Sequence, residues 1–448
     1  YPGAIDLGTQ QAGIGTAYFG TDTFTYLALQ NTTASPVSAS IVVHLENGAG
    51  LNDNVTLPTV TVGGSDTQVI DVSSYLRATY ANSGQATWGT IEVQYPTNAL
   101  VAGSLTVSPE DRWAFDSGLV DPSSGSSTTK VLSPAVFDYD SDAKTYVTIR
   151  NVSAASRTVT ATFKTSSGTT TTQATLAAGR QTALTFPSRN YLSPGQKSFT
   201  DVRLSYSGAS TDIVGGAVSL SPSLHIAIPA RLVEASSQDQ RRLSGPSVWL
   251  DGRTTSVIEV ANLSASAIKV GARIHLATDG TTPIATSLVT VAANSSAAID
   301  LYSYINQVPD DVDGYGAVEL WHNGPSGAIA ATCLTLGRGT NVARVTAFVP
   351  GHSFPTGEAI AFPNSVTNTP NAVSQLSFLV GSGVQAPVTQ VAYGGGTVTA
   401  ATADGANVYK ATYTAPSTLP TTTATVLARK ATDLTLHLEG TINFNNVL

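Results

Sequence analysis

The sequence predicts an all-β protein built as a tandem array of β-sandwiches, with three related repeats followed by a fourth domain. One observation is a phrase that occurs three times, around Asn31, Asn151 and Asn262, at spacings of 120 and 111 residues. In each copy a strand-like run leads into Asn-x-Ser/Thr and a second strand-like run, and such self-similarity marks a repeat architecture. The other is the pattern of many short alternating runs separated by Gly, Pro, Asn and Ser, without helical periodicity.

The related segments continue on both sides of the asparagine phrase. An aromatic run before an Asp-containing turn precedes it, and a run ending in Tyr follows it, which predicts a strand that enters a short helical turn. The preceding runs are TAYFGTDTF, SPAVFDYDS and GPSVWLDGR, and the following ones are Val69–Leu76, Leu184–Leu192 and Ala298–Ile305.

A hairpin closes each repeat. The runs WGTIEVQY, FTDVRLSY and YGAVELWH alternate strictly, so we expect Ile91, Val93 and their counterparts to face the core, and Glu92, Arg203 and Glu319 to face water. The runs LVAGSLTVS, IVGGAVSLS and IAATCLTLG follow after turns that contain Gly, Asn or Pro, as expected of the second hairpin strand.

Two polar segments, Asp121–Thr129 and Ala235–Arg242, are predicted to be linkers. They place the sandwich repeats at 1–121, 122–237 and 238–350, and a fourth domain at 351–448. Domains of this length, with many short strands at even spacing, favour an Ig-like sandwich over other all-β folds.

The fourth domain contains the strand–Gly-Gly-Gly–strand run Val391–Val398, the segment Tyr409–Pro416 and the alternating run Thr423–Leu427. These segments resemble a bacterial Ig-like domain of the kind found in tandem in secreted and cell-surface proteins, although Tyr393 stands where a Trp is common. The resemblance implies a structural module without functional residues. The three repeats are similar to such domains in general style only.

Composition restricts the class of function. Charged residues are 12% of the chain against about 25% in typical soluble domains, and the net charge of −8 has no basic block. We therefore expect no nucleic-acid partner. We also expect no membrane span, because no apolar run approaches the roughly 20 residues that span a bilayer. The absence of Met and the single Cys suit a secreted or cell-surface protein whose signal peptide is removed before Tyr1.

Carboxylates offer two candidate metal sites. Asp138, Asp140 and Asp142 resemble the start of a calcium loop and are favoured over the weaker cluster of Asp310, Asp311 and Asp313, although Asp is also the natural residue of a turn. No other cofactor is expected. We interpret Cys333 as a core residue in place of Leu105 and Val218, and His44 and His275 as packing positions that match Phe163.

Asparagines and aromatic residues offer two further kinds of site. Asn-x-Ser/Thr is either a glycosylation signal or an Asx turn, and recurrence at one structural position favours the turn. Three aromatic residues lack aromatic counterparts in the other repeats, so we consider them as sugar contacts. The asparagines are Asn31, Asn54, Asn151, Asn262 and Asn294, and the aromatic residues are Trp113, Trp321 and Tyr302.

These patterns favour an extracellular structural protein, the self-assembling subunit of a filament, sheath or surface layer, whose main partner is a copy of itself. The N-terminal stretch Tyr1–Thr16 either joins a neighbouring subunit as an added strand or forms a strand of its own domain. The alternative is a cell-surface adhesin or carbohydrate-binding protein that contacts surface glycans. No motif of nucleophilic catalysis is found and no segment is left over for a catalytic domain, so the sequence does not predict an enzyme.

Overall fold

The protein is nearly all β, and its mainly antiparallel sheets form a tandem array of sandwiches, which confirms the predicted all-β sandwich array. The Ig-like topology stays a prediction. The computed structural model describes residues 5–6, 11–46, 52–80, 88–96, 99–120, 128–138, 142–165, 168–187, 197–233, 241–277, 283–308, 314–337, 343–350, 359–363, 365–381, 387–393, 395–419, 424–429 and 442–446. The chain folds as two compact units, Tyr1–Glu234 with Leu334–Ala347, and Ala235–Cys333 with Phe348–Leu448.

Repeat 1 is a sandwich of two sheets. Its front sheet has the order β2–β8–β4–β5 with β6 on β4, and its rear sheet has the order β1–β9–β3–β7 with β10 on β9. Leu27 and Leu29 of the rear sheet and Ile41 and Ile91 of the front sheet share one buried core. The elements are β1 (Ile5–Asp6), β2 (Gln11–Tyr18), β3 (Phe24–Asn31), β4 (Val37–Glu46), β5 (Asn52–Thr56), β6 (Val60–Val62), β7 (Thr67–Asp71), α1 (Val72–Thr79), β8 (Trp88–Tyr95), β9 (Leu100–Ser108) and β10 (Trp113–Gly118).

Repeat 2 has the same two layers joined into one continuous sheet of order β14–β13–β16–β11–β18–β17–β12–β15. The first four strands form its front layer and the last four its rear layer. Phe163 and Phe186 meet between the layers, with ring centroids 5.1 Å apart. The strands are β11 (Thr129–Asp138), β12 (Lys144–Asn151), β13 (Arg157–Thr165), β14 (Gly168–Leu176), β15 (Gln181–Pro187), β16 (Lys197–Tyr206), β17 (Ile213–Ser221) and β18 (Ile226–Val233).

Repeat 3 has a front sheet of order β22–β21–β25–β19–β28 with β23 on β21, and a rear sheet that includes the run β24–β20–β26. Ile258 and Val260 of the rear sheet share a core with Val318 and Leu320 of the front sheet. The elements are β19 (Arg242–Trp249), β20 (Thr254–Asn262), β21 (Ile268–Leu276), β22 (Ile284–Ala285), β23 (Val289–Val291), β24 (Ser296–Asp300), a 3-10 helix (Leu301–Gln307), β25 (Tyr315–His322), β26 (Ile329–Gly337), β27 (Ala343–Ala347) and β28 (Val349–Pro350).

The fourth domain also has two sheets, of order β29–β31–β35–β33 with β34 on β35, and β30–β37–β36–β32. Leu376, Phe378 and Tyr413 of the first sheet pack with Val426 of the second. The strands are β29 (Ala359–Phe362), β30 (Ser365–Asn368), β31 (Val373–Val380), β32 (Val388–Tyr393), β33 (Thr397–Val398), β34 (Thr402–Ala403), β35 (Val408–Thr414), β36 (Ala424–Arg429) and β37 (Ile442–Asn446).

The predicted helical turn is present in repeats 1 and 3. Asp71 begins α1 by accepting a hydrogen bond from the Ser74 backbone N–H at 2.9 Å, and Asp300 begins the 3-10 helix by accepting one from Tyr302 at 3.0 Å. The corresponding part of repeat 2, residues 188–196, lies outside the described residues. Among the helices that the structure describes, none is both long and apolar enough to cross a membrane.

The N-terminal stretch lies within its own domain wherever the structure describes it. β1 pairs with β9, and β2 pairs with β8 along its full length from Gln11 to Tyr18. The described part of Tyr1–Thr16 therefore supplies two edge strands to its own repeat, each paired along one side, and the addition of a strand to a neighbouring copy stays a prediction. Most of the two predicted linkers, residues 121–127 and 235–240, lies outside the described residues.

Candidate functional site

The rear layer of repeat 2 covers the front sheet of repeat 1. In β8 every residue from Trp88 to Val93 is buried, including Glu92 on the outer face. The expectation that Glu92 faces water is therefore wrong. Period-two alternation shows only that the two faces of a strand differ, and not that one of them meets solvent. The side chains buried between the two repeats are the candidate site of the first unit.

A buried carboxylate ties the two repeats together. The Glu92 Oε2 atom lies 2.8 Å from His44 Nε2 and accepts a hydrogen bond from the Arg150 guanidinium of repeat 2 at 2.7 Å. The other carboxylate oxygen accepts one from Gln94 at 2.7 Å, and His44 Nδ1 lies 2.7 Å from Asn54 Oδ1. The side chains of Glu92, His44 and Arg150 are all about one-tenth exposed, so this is a buried ionic cluster.

The environment shifts the pKa values of two acids in opposite directions. Burial alone would raise the pKa of Glu92, but the hydrogen bonds from His44 and Gln94 and the charge of Arg150 outweigh it and lower the pKa to about 2. Burial raises the pKa of Glu46, although it accepts hydrogen bonds from the Ala183 backbone N–H and from a neighbouring hydroxyl. Glu92 is therefore the ionised partner of Arg150.

Neutral hydrogen bonds complete the contact. Gln181 of repeat 2 donates to the His44 carbonyl at 2.6 Å and accepts from Thr90 at 2.9 Å. The hydroxyls of Thr16 and Thr148 lie 2.7 Å apart. Next to them is Gly216, at which a Cβ atom would lie 2.0 Å from the Thr16 hydroxyl, so only glycine permits this approach of the two repeats.

Aromatic rings form the apolar part of the contact. Tyr18 and Trp88 of repeat 1 have ring centroids 4.7 Å apart, and Trp88 stacks on Tyr146 of repeat 2 at the same distance. Two further rings extend the cluster: the Trp113 centroid lies 6.3 Å from that of Tyr18, and the Phe115 centroid lies 6.3 Å from that of Trp88. Aromatic pairs at these separations stabilise an interface beyond the area that they bury.

A cavity of about 370 Å³ opens beside this cluster. Four aromatic residues line it, together with the charged residues Asp111, Asp142 and Lys144. Burial raises the pKa of both Tyr18 and Tyr146, so their hydroxyls remain protonated donors. Aromatic faces beside hydroxyl, carboxylate and ammonium groups suit a polar ring-shaped ligand such as a sugar. The aromatic residues are Tyr18, Trp88, Trp113 and Tyr146.

The three aromatic residues proposed as sugar contacts fall in three different places. Trp113 lines the cavity, although the ring itself is mostly buried. Trp321 is only 2% exposed and packs in the second unit against a cluster that includes Phe362, so the expectation that it contacts sugar is wrong. Tyr302 is half-buried in the 3-10 helix of repeat 3.

The acidic triplet stays a prediction as a calcium site. Asp142 accepts hydrogen bonds from the Ser221 hydroxyl at 3.2 Å and from the Ser223 backbone N–H at 3.1 Å. The side chain of Asp138 and the whole of Asp140 lie outside the described residues. Within the described part of the chain, no three acidic, His or Cys side chains are grouped in a way that could hold a metal ion.

The recurring asparagines are buried, and the side chain of each one links its own turn to a loop that is distant in sequence. Asn151 Oδ1 accepts from the backbone N–H of Ser153 at 3.0 Å, which is an Asx turn, and Nδ2 donates to the carbonyls of Ala155, Leu176 and Ala177 at 2.7 to 3.1 Å. Asn31 and Asn262 make the same set of bonds in their own repeats. The Asx-turn interpretation is confirmed.

These bonds are incompatible with a sugar on the three recurring asparagines. An N-linked glycan is attached through Nδ2, and this atom donates to three carbonyls in each repeat. We therefore correct the expectation of glycosylation at Asn31, Asn151 and Asn262. Asn54 and Asn294 are exposed, and glycosylation there stays a prediction.

Cys333 lies in the core of repeat 3, but its counterparts in the other repeats differ from those expected. The backbone bonds from Thr32 to Ala99, from Val152 to Asp212 and from Leu263 to Ala328 align the hairpins. Counting from these bonds, Cys333 corresponds to Ser104 and Ala217. Leu105, expected to face inward, is 43% exposed.

The histidine alignment is also wrong by one residue. Val43 pairs with Ile91 and Phe163 with Val202, so Phe163 corresponds to Val43 and not to His44. A shift of one residue in a strand moves a side chain to the opposite face. His44 therefore shares the outer face of its sheet with Glu92, and His275 shares that of its own sheet with Glu319. His275 Nε2 lies 3.4 Å from the Glu319 carboxylate. Counting from each repeat's asparagine would have revealed this.

No protein-family model matches this chain, and comparison with characterised proteins also finds no match. The site is therefore interpreted from its own geometry.

Proposed function

We propose that this chain is an extracellular structural protein that assembles with copies of itself into a filament, sheath or surface layer. The observation that carries the proposal is the contact between repeats 1 and 2, in which the outer face of one sandwich is an adhesive surface for another. Buried aromatic residues are enriched at stable protein interfaces, and the charges buried in this contact are paired.

The second unit supports the same interpretation. There repeat 3 packs against the fourth domain through Trp321 and Phe362, and Lys269 forms an ion pair with Asp404. A Cβ atom at Gly271 would lie 2.5 Å from the Phe362 ring, so this contact is also close. Firm contacts between neighbouring sandwiches suit a load-bearing element more than a chain of independent binding modules.

Composition supports an extracellular location. The chain has one Cys, no Met and few charged residues, and it is rich in Ser and Thr. Met is a frequent target of oxidation, so a chain without it suits long exposure outside the cell. No catalytic role is included in this proposal.

Electron microscopy of the purified protein over a range of concentrations, together with sedimentation velocity, tests the proposal. Filaments or lattices, and a sedimentation coefficient that increases with concentration, are the expected result. Dispersed monomers at every concentration, in the presence and absence of Ca²⁺, would overturn it.

A second candidate function, binding of surface glycans, is favoured by the cavity beside Trp113. Titration with soluble polysaccharides, followed through tryptophan fluorescence, tests it. We expect Lys144→Ala to reduce binding, because Lys144 lines the cavity, and Lys410→Ala in the second unit to leave binding unchanged. Equal binding by the two variants would contradict a role for the cavity.

A further inference from the structure

The front sheet of repeat 3 carries the same aromatic pair as that of repeat 1. The fourth domain packs on the Trp321 end of β25, whereas the pair lies at the opposite, Tyr315 end, where it is exposed among the described residues. Trp249 pairs with Tyr315 across β19 and β25, as Tyr18 pairs with Trp88 across β2 and β8. The ring centroids are 5.0 Å apart in repeat 3 and 4.7 Å apart in repeat 1. In repeat 1 the pair lies beneath Tyr146 of repeat 2, whereas Trp249 and Tyr315 are 43% and 39% exposed.

The rear sheet of repeat 1 is uncovered at the positions that repeat 2 uses in its contact. Tyr26 and Tyr146 both stand five residues before the asparagine of their repeat, and they pair with Leu105 and Val218 respectively. Val218 is buried with the aromatic cluster between the repeats, but Leu105 is 43% exposed. Val69 on the adjacent strand β7 is 62% exposed. This rear sheet therefore presents an apolar surface to solvent.

A glycine marks the same point on both rear sheets. Gly216 lies opposite Thr148 and allows the close approach of Thr16, whereas Gly103 lies opposite Ala28. A Cβ atom at Gly103 would meet nothing within 4 Å. Glycine weakens a strand interior, and it is found there where another backbone or a ligand approaches closely, as at Gly216. Among the residues that the structure describes, Gly103 has no such neighbour.

The charges of the two uncovered faces are compatible. In the contact between repeats 1 and 2, Glu92 receives Arg150 from the facing repeat. In repeat 3, Glu319 already forms an ion pair with Arg242 of its own sheet. At the position of Arg150, one residue before the asparagine, repeat 1 has the neutral Gln30. Docking would thus bury no second cation against Glu319 and leave no carboxylate unpaired.

We propose that copies of this chain join head to tail, with the Trp249–Tyr315 end of the front sheet of repeat 3 of one copy docked on the rear sheet of repeat 1 of the next. The arrangement follows the contact between repeats 1 and 2 at this end of the sheet, because the fourth domain occupies the Trp321 end. The inference rests on the proposed assembly function and specifies its interface. The occupant is a second copy, because the chain carries both halves of a contact whose geometry it already contains.

The two faces differ, so the contact is heterologous and each copy keeps one free face of each kind. Such contacts generate open filaments unless the rotation between copies closes a ring. Assembly therefore needs no strand exchange, and it is expected to increase with concentration.

Two variants test the proposal, one for each face. Gly103→Val adds a side chain where the free chain has space, and it is expected to block the rear face without loss of stability. Trp249→Ala combined with Tyr315→Ala removes the exposed rings of the front face. Each variant alone should raise the concentration needed for assembly by at least about tenfold.

A mixture of the two variants gives the most specific result. Each retains one intact face of opposite kind, so an equimolar mixture should form a one-to-one dimer and nothing larger, as measured by sedimentation velocity. Thr158→Val, at an exposed strand position of repeat 2 outside both faces, is the matched control and should assemble like the wild type.

The outcomes separate this inference from the proposed function. If the wild type assembles and both variants assemble equally well, the assigned faces are wrong while the assembly function stands. If both variants stay monomeric and their mixture also gives no dimer, the head-to-tail pairing is wrong. If the wild type never assembles, the proposed function itself fails. Thermal unfolding of each variant shows whether a lost contact reflects docking or folding.

Discussion

At the scale of single residues, one asparagine in each repeat connects its own turn to a distant loop. The amide nitrogen of Asn151 supplies hydrogen bonds to three backbone carbonyls, two of them contributed by the segment that ends β14. A buried carbonyl that loses its donor keeps the full cost of its desolvation. The phrase that revealed the repeats in the sequence is therefore also the polar centre of each sandwich.

Replacement of this amide should be strongly destabilising. Asn151→Asp exchanges a donor for an acceptor facing three carbonyls, and we expect a loss of about 3 kcal/mol or more in the free energy of unfolding. Chemical denaturation measures the loss. Asn294→Asp at an exposed site is the control, and an equal effect of the two substitutions would contradict the role of Asn151.

Glu92 should make the stability of the first unit depend on pH. Its pKa in the folded state, about 2, lies below the usual 4.5, so its contribution is complete above about pH 4.5 and disappears as the pH falls towards 2. The wild type should therefore be more stable than Glu92→Gln at neutral pH, and the difference should vanish in acid.

Glu46→Gln provides the contrast to this measurement. Burial raises the pKa of Glu46, so folding favours its protonated form, which glutamine imitates. We expect this variant to gain stability relative to the wild type as the pH rises above the usual carboxyl range. Thermal unfolding across the pH range measures both differences, and parallel curves for all three proteins would contradict these assignments.

At the scale of strands, the sequence predicts which segments are strands better than how they match between repeats. The alternation around Ile91 and Val93 identified β8 and its core face, and both residues are fully buried. The matches of His44 to Phe163 and of Cys333 to Leu105 were wrong by one residue, because apolar residues stand close together in these runs and either register looks plausible. Counting from the asparagine of each repeat resolves such a shift in the sequence, and backbone pairing resolves it in the structure.

The candidate site could be predicted only in part for a related reason. Trp113 was found because it has no aromatic counterpart, and the structure places it beside the cavity. Glu92 was expected to face water because a single strand does not show what covers its outer face. Arg150, its partner, is distant in sequence and stands in the repeated phrase where the other repeats have Gln30 and Ala261, so nothing in the composition of either repeat connects the two.

The glycines of equivalent strands give a test at this scale. Gly216→Ala would place its Cβ against Thr16, and we expect a loss of about 1–3 kcal/mol from overpacking. Gly103→Ala meets nothing and should gain up to about 1 kcal/mol, because alanine is less costly than glycine within a strand. Thermal unfolding of the monomer distinguishes the two. Equal effects would show that contact at Gly216 is not what requires glycine.

At the scale of the whole molecule, stability should follow the two compact units and not the four sandwiches. The buried pair of Glu92 and Arg150 couples repeats 1 and 2, because unfolding of either repeat would leave the charge of the other without its partner. We expect calorimetry to show two transitions, one for each unit.

Arg150→Ala should identify the first unit in this experiment. Removal of one member of a buried ion pair typically costs about 3–5 kcal/mol, so one transition should move to lower temperature while the other stays in place. Four separate transitions in the wild type, or a shift of both transitions in the variant, would contradict this description.

Because Cys333 is buried, its reaction with a thiol reagent can measure how often the core of repeat 3 opens. It is the only thiol in the chain and it lies within the core of repeat 3, so a thiol-reactive dye can reach it only when that core opens. The rate of labelling then measures how often the core of repeat 3 opens to solvent. In an assembled sample, a slower rate would show that neighbouring copies stabilise the closed core of repeat 3.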